Sequence, residues 1–261
     1  MNSLKNEEMI SSWNMVYNIS LNMLHNAADA EDATQQIFEK VIKNISRFEK
    51  RSKFSTWVYR IAYNHLLDIK RKSFTEEISF QQVENDVRNF RPYENELNLT
   101  AVEEKIYIQQ IKNGCTLAML QCLDSESRLI FIIGNIFNLQ GKEAAEVCNL
   151  NEISYRKKLS RAKQKIKNFM EKSCGLLNKD AHCKCRKRLL IANEHGRIDV
   201  DKLLYRNDND KIREYVDEMN SIDAVSRVYQ DNFFHDKREL FISRMKDEFE
   251  ILRENNYNLF N

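Results

Sequence analysis

The sequence predicts an all-α protein made of two small helical domains, a linker and a helical C-terminal extension. One proline and five glycines occur among 261 residues, which is too few for the turns of most β-sandwiches. Apolar residues recur every three or four positions through most of the chain, and this is the period of an α-helix. Candidate capping residues precede several of these periodic stretches.

The first predicted domain is a three-helix bundle over residues 1–72. An apolar stripe around Trp13 indicates a first helix over about residues 8–26. Asp29 is a candidate cap for the second helix, and Ser55 is a candidate cap for the third. Three helices within about 70 residues are typical of a small bundle.

The second predicted domain covers residues 101–171, after an acidic linker at residues 73–100. The linker loses helical periodicity and contains Pro92, so we expect it to be extended in part. Within the second domain, a short helix at residues 142–148 precedes a tight turn and a longer basic helix that ends near Met170. This order of elements is the pattern of a helix-turn-helix unit.

Charge is distributed unevenly, although the formal net charge is +2. Residues 39–72 carry ten basic and three acidic side chains, and residues 128–172 carry ten basic and four acidic ones. Residues 73–127, between them, carry four basic and ten acidic side chains. Two basic segments separated by an acidic one suggest two surfaces that meet phosphate.

Aromatic rings are interleaved with the basic side chains of residues 39–72. The rings belong to Phe48, Phe54, Trp57, Tyr59 and Tyr63. Cations neutralise phosphate and ring faces stack on unpaired bases, so this composition is typical of a surface for single-stranded nucleic acid. The alternative is that some of the rings, Trp57 above all, are part of the core.

The helix after the turn has a basic face and an apolar face. The basic face is formed by Arg156, Ser160, Lys163 and Lys167, and the apolar face by Leu159, Ala162, Ile166 and Met170. The apolar face can dock on the preceding helices, which leaves the basic face for a DNA groove. A solvated surface helix with an ordinary run of charge is the alternative.

The sequence FSTWVYRIA at residues 54–62 belongs to a longer ordered pattern. Its other members in the first domain are residues 29–32, Gln35, Phe38, Asn64, Asp68 and Arg71. In the second domain it continues through Leu123, Arg128, residues 143–145 and residues 159–162. Over about residues 8–171 the chain resembles the extracytoplasmic-function (ECF) type of bacterial sigma factor. Asp124, where proline is usual, and Tyr155, where a small β-branched residue is usual, depart from the family pattern.

This resemblance implies a non-enzymatic subunit that directs RNA polymerase to promoters. The first domain would bind the clamp helices of the β′ subunit and capture a flipped base of the melted promoter. The second domain would dock on the β-subunit flap and read the upstream promoter element in the major groove. The acidic linker would run toward the active centre of the polymerase.

The resemblance also implies three sets of site residues. The polymerase contacts are Asp29, Asp32, Gln35, Gln36 and Phe38, although a core role fits Phe38 equally well. The residues for promoter melting and base capture are Lys53, Phe54, Ser55, Thr56, Tyr59, Arg60 and Asn64. The duplex contacts are Ser154, Tyr155, Arg156, Lys157, Lys158, Ser160, Arg161 and Lys163.

Residues 172–261 are expected to form a cysteine-containing helical extension, with helices around residues 199–205, 209–230 and 235–254. Near its start lie four soft candidate ligands, Cys174, His182, Cys183 and Cys185. Such a set suits tetrahedral zinc, and thiolates also bind copper. A redox pair between Cys174 and a later cysteine is a second interpretation, and cysteines without a special role are a third. The remaining cysteines, Cys115, Cys122 and Cys148, are expected in the core.

Residues 174–178 and 183–185 also resemble a C-terminal extension found in some sigma factors of the ECF type, although both prolines of that motif are missing here. The resemblance implies control in cis by the extension, and a separate anti-sigma factor is the other possibility. We expect no membrane span, since no apolar run approaches the roughly 20 residues required. Six cysteines without a secretory signal favour a reducing cytoplasm.

Two other functions agree with parts of the sequence. A helix-turn-helix repressor or activator, not associated with core polymerase, would use the first bundle for a ligand or for dimerisation. Such a protein binds duplex DNA and does not need the aromatic and basic run at residues 54–60. A metal-dependent enzyme would use the cysteines, but the sequence has no spaced His and Glu set, phosphate loop or nucleophile motif.

Overall fold

The computed structural model describes residues 2–72, 78–89, 100–139 and 141–194, and the regular elements within these ranges are helices, as predicted. The helices are α1 Asn2–Leu24, α2 Ala27–Lys43, α3 Phe54–Lys72, α4 Phe80–Asn89, α5 Ala101–Gln121, α6 Ser125–Phe131, α7 Gly141–Val147, α8 Glu152–Ser173 and α9 Cys185–Glu194. A 3-10 turn follows α2 at Ile45–Arg47, and a π-helical turn follows α6 at Ile132–Ile136. The helices predicted around residues 199–205, 209–230 and 235–254 lie outside the described residues. Among the described helices, none has the length and apolar character needed to cross a membrane.

Residue contacts divide the chain into two units. The first holds the described residues of Met1–Thr75 and Leu129–Leu159, and the second holds those of Glu76–Arg128 and Ser160–Phe233. The division falls inside α6 and α8. The domains predicted from the sequence are instead continuous segments of the chain, and their boundaries stay a prediction.

Helix α1 forms the centre of the first unit. It packs against α2, α3 and the π-helical turn Ile132–Ile136, and Trp13 is fully buried. Because α1 is covered on several sides, polar side chains are buried along it as well. Asn18 Nδ2 donates to the Asn14 carbonyl oxygen at 2.6 Å, and Asn22 Nδ2 donates to the Asn18 carbonyl oxygen at 2.8 Å. These bonds within the helix satisfy amide nitrogens that burial removes from water.

Two helices of the first unit begin at residues other than those predicted. The N-cap of α2 is Asn26, whose Oδ1 accepts a hydrogen bond from the backbone N–H of Asp29 at 3.1 Å. Asp29 therefore lies in the first turn and is not the cap. Helix α3 begins at Phe54, so Ser55 lies inside its first turn. Several neighbouring polar residues are able to cap a helix, and the sequence alone does not show which of them occupies the N-cap position.

A close approach between the π-helical turn and α8 requires a glycine. A Cβ atom at Gly134 would lie 2.1 Å from Tyr155 Oη and 2.9 Å from Leu159 Cδ2. The Tyr155 hydroxyl donates a hydrogen bond to the Leu139 carbonyl oxygen at 3.3 Å. Burial raises the pKa of Tyr155, because it disfavours the phenolate. These contacts fix the first turns of α8 against the residues that precede α7.

The predicted linker is not simply extended, because it contains α4. Phe80 packs on Phe169 with ring centroids 5.1 Å apart. Glu84 is buried and accepts hydrogen bonds from Lys172 Nζ at 2.9 Å and Arg88 Nη2 at 2.7 Å. The hydrogen bond from Lys172 makes the largest contribution to lowering the pKa of Glu84. The sequence analysis did not predict α4, because the helix is only ten residues long and mostly polar.

Arg128 and Asp124, two positions noted in the sequence, stabilise the junction between α5 and α6. Arg128 Nε donates to the Leu120 carbonyl oxygen at 2.8 Å, and Arg128 Nη2 donates to the Gln121 carbonyl oxygen at 2.9 Å. The guanidinium thus satisfies carbonyl groups at the end of α5. Asp124 caps α6 by accepting a hydrogen bond from the Ser127 backbone N–H at 2.9 Å.

Helix α9, which the sequence did not predict, packs on α5. Tyr107 and Ile111 of α5 form a buried cluster with Leu189 and Ala192 of α9. Arg186 Nε lies 3.5 Å from Glu104 Oε1 beside this cluster. Residues 185–194, which lie within the predicted C-terminal extension, therefore form a helix of the second unit.

Candidate nucleic-acid interface

Four residues at or near the start of α3 form one polar face, which we call the α3 polar face. They are Lys53, Thr56, Arg60 and Asn64. Their spacing of three and four residues places them on one side of the helix. All four were predicted to act in promoter melting, and the structure brings them together. Ser55, also predicted, is partly exposed.

Each member of the α3 polar face contacts α7 or the turn after it. Lys53 Nζ lies 3.3 Å from Glu143 Oε2, and Thr56 Oγ1 donates to Glu143 Oε1 at 2.9 Å. Arg60 Nη2 donates to Glu146 Oε1 at 2.5 Å. Asn149 Nδ2 donates to Asn64 Oδ1 at 2.8 Å. We call Glu143, Glu146 and Asn149 the α7 polar edge.

The aromatic rings near the α3 polar face are mostly turned inward. Phe54 and Tyr59 are 5% and 7% exposed, so neither offers a free ring face to an unpaired base in this structure. Trp57, for which a core position was expected, is partly exposed and packs on Phe48 with ring centroids 5.3 Å apart. Burial, assisted by the carboxylate of Glu143, raises the pKa of Tyr59 to about 12. Helix packing thus buries Phe54 and Tyr59 and leaves Trp57 partly exposed, although Trp57 was the ring most expected in the core.

The residues predicted to contact polymerase lie on α2, and four of the five reach the surface. Asp29, Asp32 and Gln36 are exposed, and Gln35 is partly exposed. Phe38 is fully buried, with its ring centroid 4.9 Å from that of Trp13. The interpretation of Phe38 as a surface contact is therefore corrected, since its ring is part of the core.

Helix α8 presents the basic face that the sequence predicted. Asn151 Oδ1 caps the helix by accepting from the Ser154 backbone N–H at 2.8 Å. The exposed members are Arg156, Lys157, Ser160 and Arg161, and the partly exposed ones are Ser154, Lys158 and Lys163. On the opposite side Ala162, Ile166 and Met170 are buried. Tyr155 is 2% exposed, so its ring does not face outward and the prediction of a duplex contact is corrected for this residue.

Ile153 is a surface feature that the sequence reading missed. It lies in the first turn of α8 and is 68% exposed, whereas most large apolar residues of the first unit are buried. Its exposure could have been inferred from its position, which is directly after the turn and outside the apolar face formed by later residues of α8. An exposed apolar side chain at the start of such a helix suits contact with a thymine methyl group.

The cysteines of the extension line a cavity of about 70 Å³ in the second unit. Cys174 and Cys183 form a backbone bridge, and the Gly175 N–H donates to the Cys183 carbonyl oxygen at 2.8 Å. Cys185 and Cys115 line the same cavity, although Cys115 was expected only as a core residue. Burial is the main cause that raises the pKa of Cys183 to about 12 and that of Cys185 to about 11.

The predicted metal ligands do not converge in this structure. His182 is exposed, and it is not among the residues that line the cavity. Within the described ranges, no three His, Cys, Asp or Glu side chains are placed to hold a metal ion together. The zinc or copper site at Cys174, His182, Cys183 and Cys185 stays a prediction.

Comparison with known proteins identifies the first bundle. The family model for Sigma-70 region 2 matches residues 11–73. A probable RNA polymerase sigma factor of Haemophilus influenzae is 26% identical over 159 residues, which cover 56% of this chain and 80% of that protein. The ECF RNA polymerase sigma factor SigM of Bacillus subtilis is 26% identical over 155 residues, which cover 59% of this chain and 87% of that protein. SigW of the same organism, also an ECF RNA polymerase sigma factor, is 44% identical over 57 residues, or 22% of this chain and 30% of that protein.

One solved structure is also similar to the chain. It is the sigma factor RpoE in complex with the anti-sigma factor NepR from Bartonella quintana, with a TM-score of 0.44 and 16% identity. The match covers 66% of this chain and 98% of that one.

The chain matches sigma-70 region 2 over residues 11–73. It is related to the ECF-type sigma factors of RNA polymerase, which confirms the resemblance seen in the sequence. The matched region 2 ends at residue 73, so the resemblance of the C-terminal extension stays a prediction.

Proposed function

We propose that this protein is a sigma factor that binds bacterial core RNA polymerase, recognises promoter DNA and helps to melt it. The observation that carries the proposal is the coincidence of the sigma-70 region 2 match with the bundle α1–α3. The protein would act by binding and would catalyse no reaction of its own. Its relatives are named as RNA polymerase sigma factors, which supports the same function.

In this proposal the first unit provides two surfaces. The exposed side of α2, with Asp29, Asp32 and Gln36, would contact the polymerase. The α3 polar face would hold the separated strand, because its two cations meet phosphate and its amide hydrogen-bonds to bases or sugars. Thr56 is 2% exposed and bonded to Glu143, so its hydroxyl would reach the strand only without that contact. Trp57 and Phe48 are the partly exposed rings among those named for this region, and Trp57, which lies on α3 itself, is the better placed to stack on a base.

Helix α8 would enter the major groove of the duplex upstream of the melted segment. Its exposed cations, such as Arg156, Lys157 and Arg161, would neutralise phosphates or contact base edges. Ile153 would lie closest to the bases, because it occupies the first turn of the helix. Burial of the opposite face, with Ala162 and Ile166, leaves these side chains on the exposed side of the helix, where Arg156 pairs with Glu152 at 2.5 Å in the absence of DNA.

The C-terminal extension would control this activity in cis. The contact of α9 with α5 supports an extension attached to the DNA-reading half of the chain. Leu189→Lys introduces a charge into the buried cluster and should detach α9. A changed yield of promoter-specific transcripts from this variant supports control in cis, whereas an unchanged yield from a folded variant contradicts it. A separate anti-sigma factor would then be the remaining regulator.

The function itself is tested by transcription from linear templates with purified core polymerase. Core alone should start only at ends or nicks, and addition of the protein should create transcripts with a defined start. A helix-turn-helix repressor or activator that does not associate with core would create no new start. Failure to bind core and to direct any defined start would overturn the proposal.

A further inference from the structure

The α3 polar face and the α7 polar edge match each other residue by residue. Glu143, Glu146 and Asn149 recur every third residue and lie along one side of α7 and the turn that follows it. The pairs are Lys53–Glu143, Thr56–Glu143, Arg60–Glu146 and Asn64–Asn149. From the first pair to the last, the contacts advance along α3 and along the α7 segment in the same chain direction. Every member of the α3 polar face therefore has a partner on the α7 polar edge.

The α7 polar edge offers α3 the chemistry of a nucleic-acid backbone. Glu143 receives hydrogen bonds from both Lys53 and Thr56, as one phosphate group would. Two carboxylates one helical turn apart thus present anionic oxygens to the two cations of the α3 polar face. The acceptors that α7 supplies are those that a bound strand would supply.

Arg60 is held incompletely by this contact. Its Nη2 donates to Glu146, while its buried Nε–H has no hydrogen-bond acceptor in the part of the chain that the structure describes. A phosphate can accept two N–H groups of one guanidinium in a bidentate arrangement. A strand phosphate would therefore satisfy Arg60 more fully than Glu146 does.

We propose that the α7 polar edge masks the α3 polar face in the free protein, so that α7 and the melted strand compete for the same four side chains. This inference rests on the proposed strand-binding role of α3. The structure is then the closed state, and the strand binds only when α7 leaves α3. The apparent affinity for the strand is reduced by the fraction of molecules that are open.

The contact has the properties of a reversible mask. The side chains of Arg60 and Glu146 are 33% and 36% exposed, and that of Lys53 is 72% exposed. Ion pairs exposed to this degree are weak and are screened by salt, so a competing strand can displace them. By linkage, any partner that holds α7 away from α3 strengthens strand binding, and strand binding releases α7.

The test compares two full-length variants with the same loss of two negative charges. Glu143→Gln with Glu146→Gln removes the carboxylates of the mask. Glu104→Gln with Glu171→Gln is the matched control, since these acids pair with Arg186 and Lys167 in the second unit. Binding of a labelled single-stranded oligonucleotide is measured by fluorescence anisotropy. We expect roughly three- to tenfold tighter binding for the mask variant than for the control, the range for loss of one or two exposed ion pairs.

Arg60→Ala, added to each background, separates failure of the mask from failure of strand binding. If Arg60→Ala weakens binding in every background but the mask variant equals the control, the mask is overturned and the strand-binding role of α3 stands. If Arg60→Ala changes binding in no background, strand binding by α3 and the mask fall together. Tighter binding by the mask variant alone, lost on adding Arg60→Ala, supports both.

Hydrogen exchange gives a readout that does not depend on DNA. Amides of α7 and of the start of α3 should exchange faster in the mask variant than in the control, because the closed state is less populated. Equal exchange in the two variants overturns the mask.

Discussion

The ammonium nitrogen of Lys40 lies 2.5 Å from Nδ1 of His65, and this contact joins α2 to α3 in the first unit. His65 is 8% exposed. Burial, and then the charge of Lys40, lowers the pKa of His65 below its ordinary 6.5, with Lys72 acting in the same direction and Asp68 opposing. The imidazole is therefore neutral in the folded protein near pH 7, and Nδ1 accepts from Lys40.

Stability of the first unit should fall in mild acid because of His65. The unfolded chain takes up the proton at a higher pH than the folded one, since the folded pKa is lowered. This contribution is fully present above about pH 6.5 and is lost as the pH falls through the folded pKa. Urea unfolding of wild type should show this dependence, and His65→Gln should flatten it. An equal slope in the two proteins over that range would contradict this assignment.

Gly134→Ala should destabilise the first unit. The added methyl would collide with Tyr155 Oη and Leu159 Cδ2, at 2.1 Å and 2.9 Å from an ideal Cβ. Overpacking of this kind costs about 1–3 kcal/mol. Gly114→Ala is the matched control, because a Cβ there meets no atom within 4 Å and Gly114 lies within α5. That variant should instead gain about 0.5–1 kcal/mol, as measured by denaturant unfolding. The same sign for both substitutions would show that space around Gly134 does not decide the outcome.

The thiol of Cys183 should react slowly with iodoacetamide. Its pKa of about 12 leaves few thiolates at pH 8. Compared with an ordinary cysteine, the rate should be lower by on the order of 100- to 1,000-fold from thiolate fraction alone. Mass spectrometry of the labelled peptide follows the rate, and the unfolded chain in guanidinium is the control. Labelling as fast in buffer as in guanidinium would rule out the protected environment described for this thiol.

Arg156→Ala should weaken duplex promoter binding and reduce its dependence on salt. Loss of one phosphate contact lowers the salt slope by about one. Arg186→Ala removes the same charge from α9 and should leave the slope unchanged. If both variants show the wild-type slope, Arg156 does not contact a phosphate.

Ile153→Ala should change the preference of duplex binding for thymine over other bases, with little change in the salt dependence of that binding.

The sequence predicted the helical class and the order of the first eight helices except α4. Helices α2, α3 and α8 each bury one apolar side, and the period of that side predicted them. Helix α1 is buried on several sides, and it was predicted from apolar residues at helical spacing around Trp13. Helix α4 is short and mostly polar, and its stability depends on distant partners such as Lys172 and Phe169. Local sequence does not contain such partners.

The surface positions of the charged and amide residues in the candidate interface could be predicted from the sequence, but those of the aromatic residues could not, and the DNA contacts of both stay a prediction. Lys53, Arg60 and Asn64 reach the surface or its edge, as expected from their charge and amide groups. Phe54, Tyr59 and Tyr155 are buried, because a ring adjacent to a basic residue can serve the core as well as a ligand. The contacts of α3 with Glu143 and Glu146 join residues more than 80 positions apart, and no local pattern signals them.

Permanganate reactivity of unpaired thymines, in a complex of core polymerase, this protein and a promoter, shows whether the α3 polar face helps to open promoter DNA. Wild-type protein should produce reactive thymines at a defined segment. Arg60→Ala should reduce this reactivity more than it reduces binding to the duplex. Full reactivity with Arg60→Ala, or no reactive thymines with wild type, would show that the α3 polar face does not open promoter DNA.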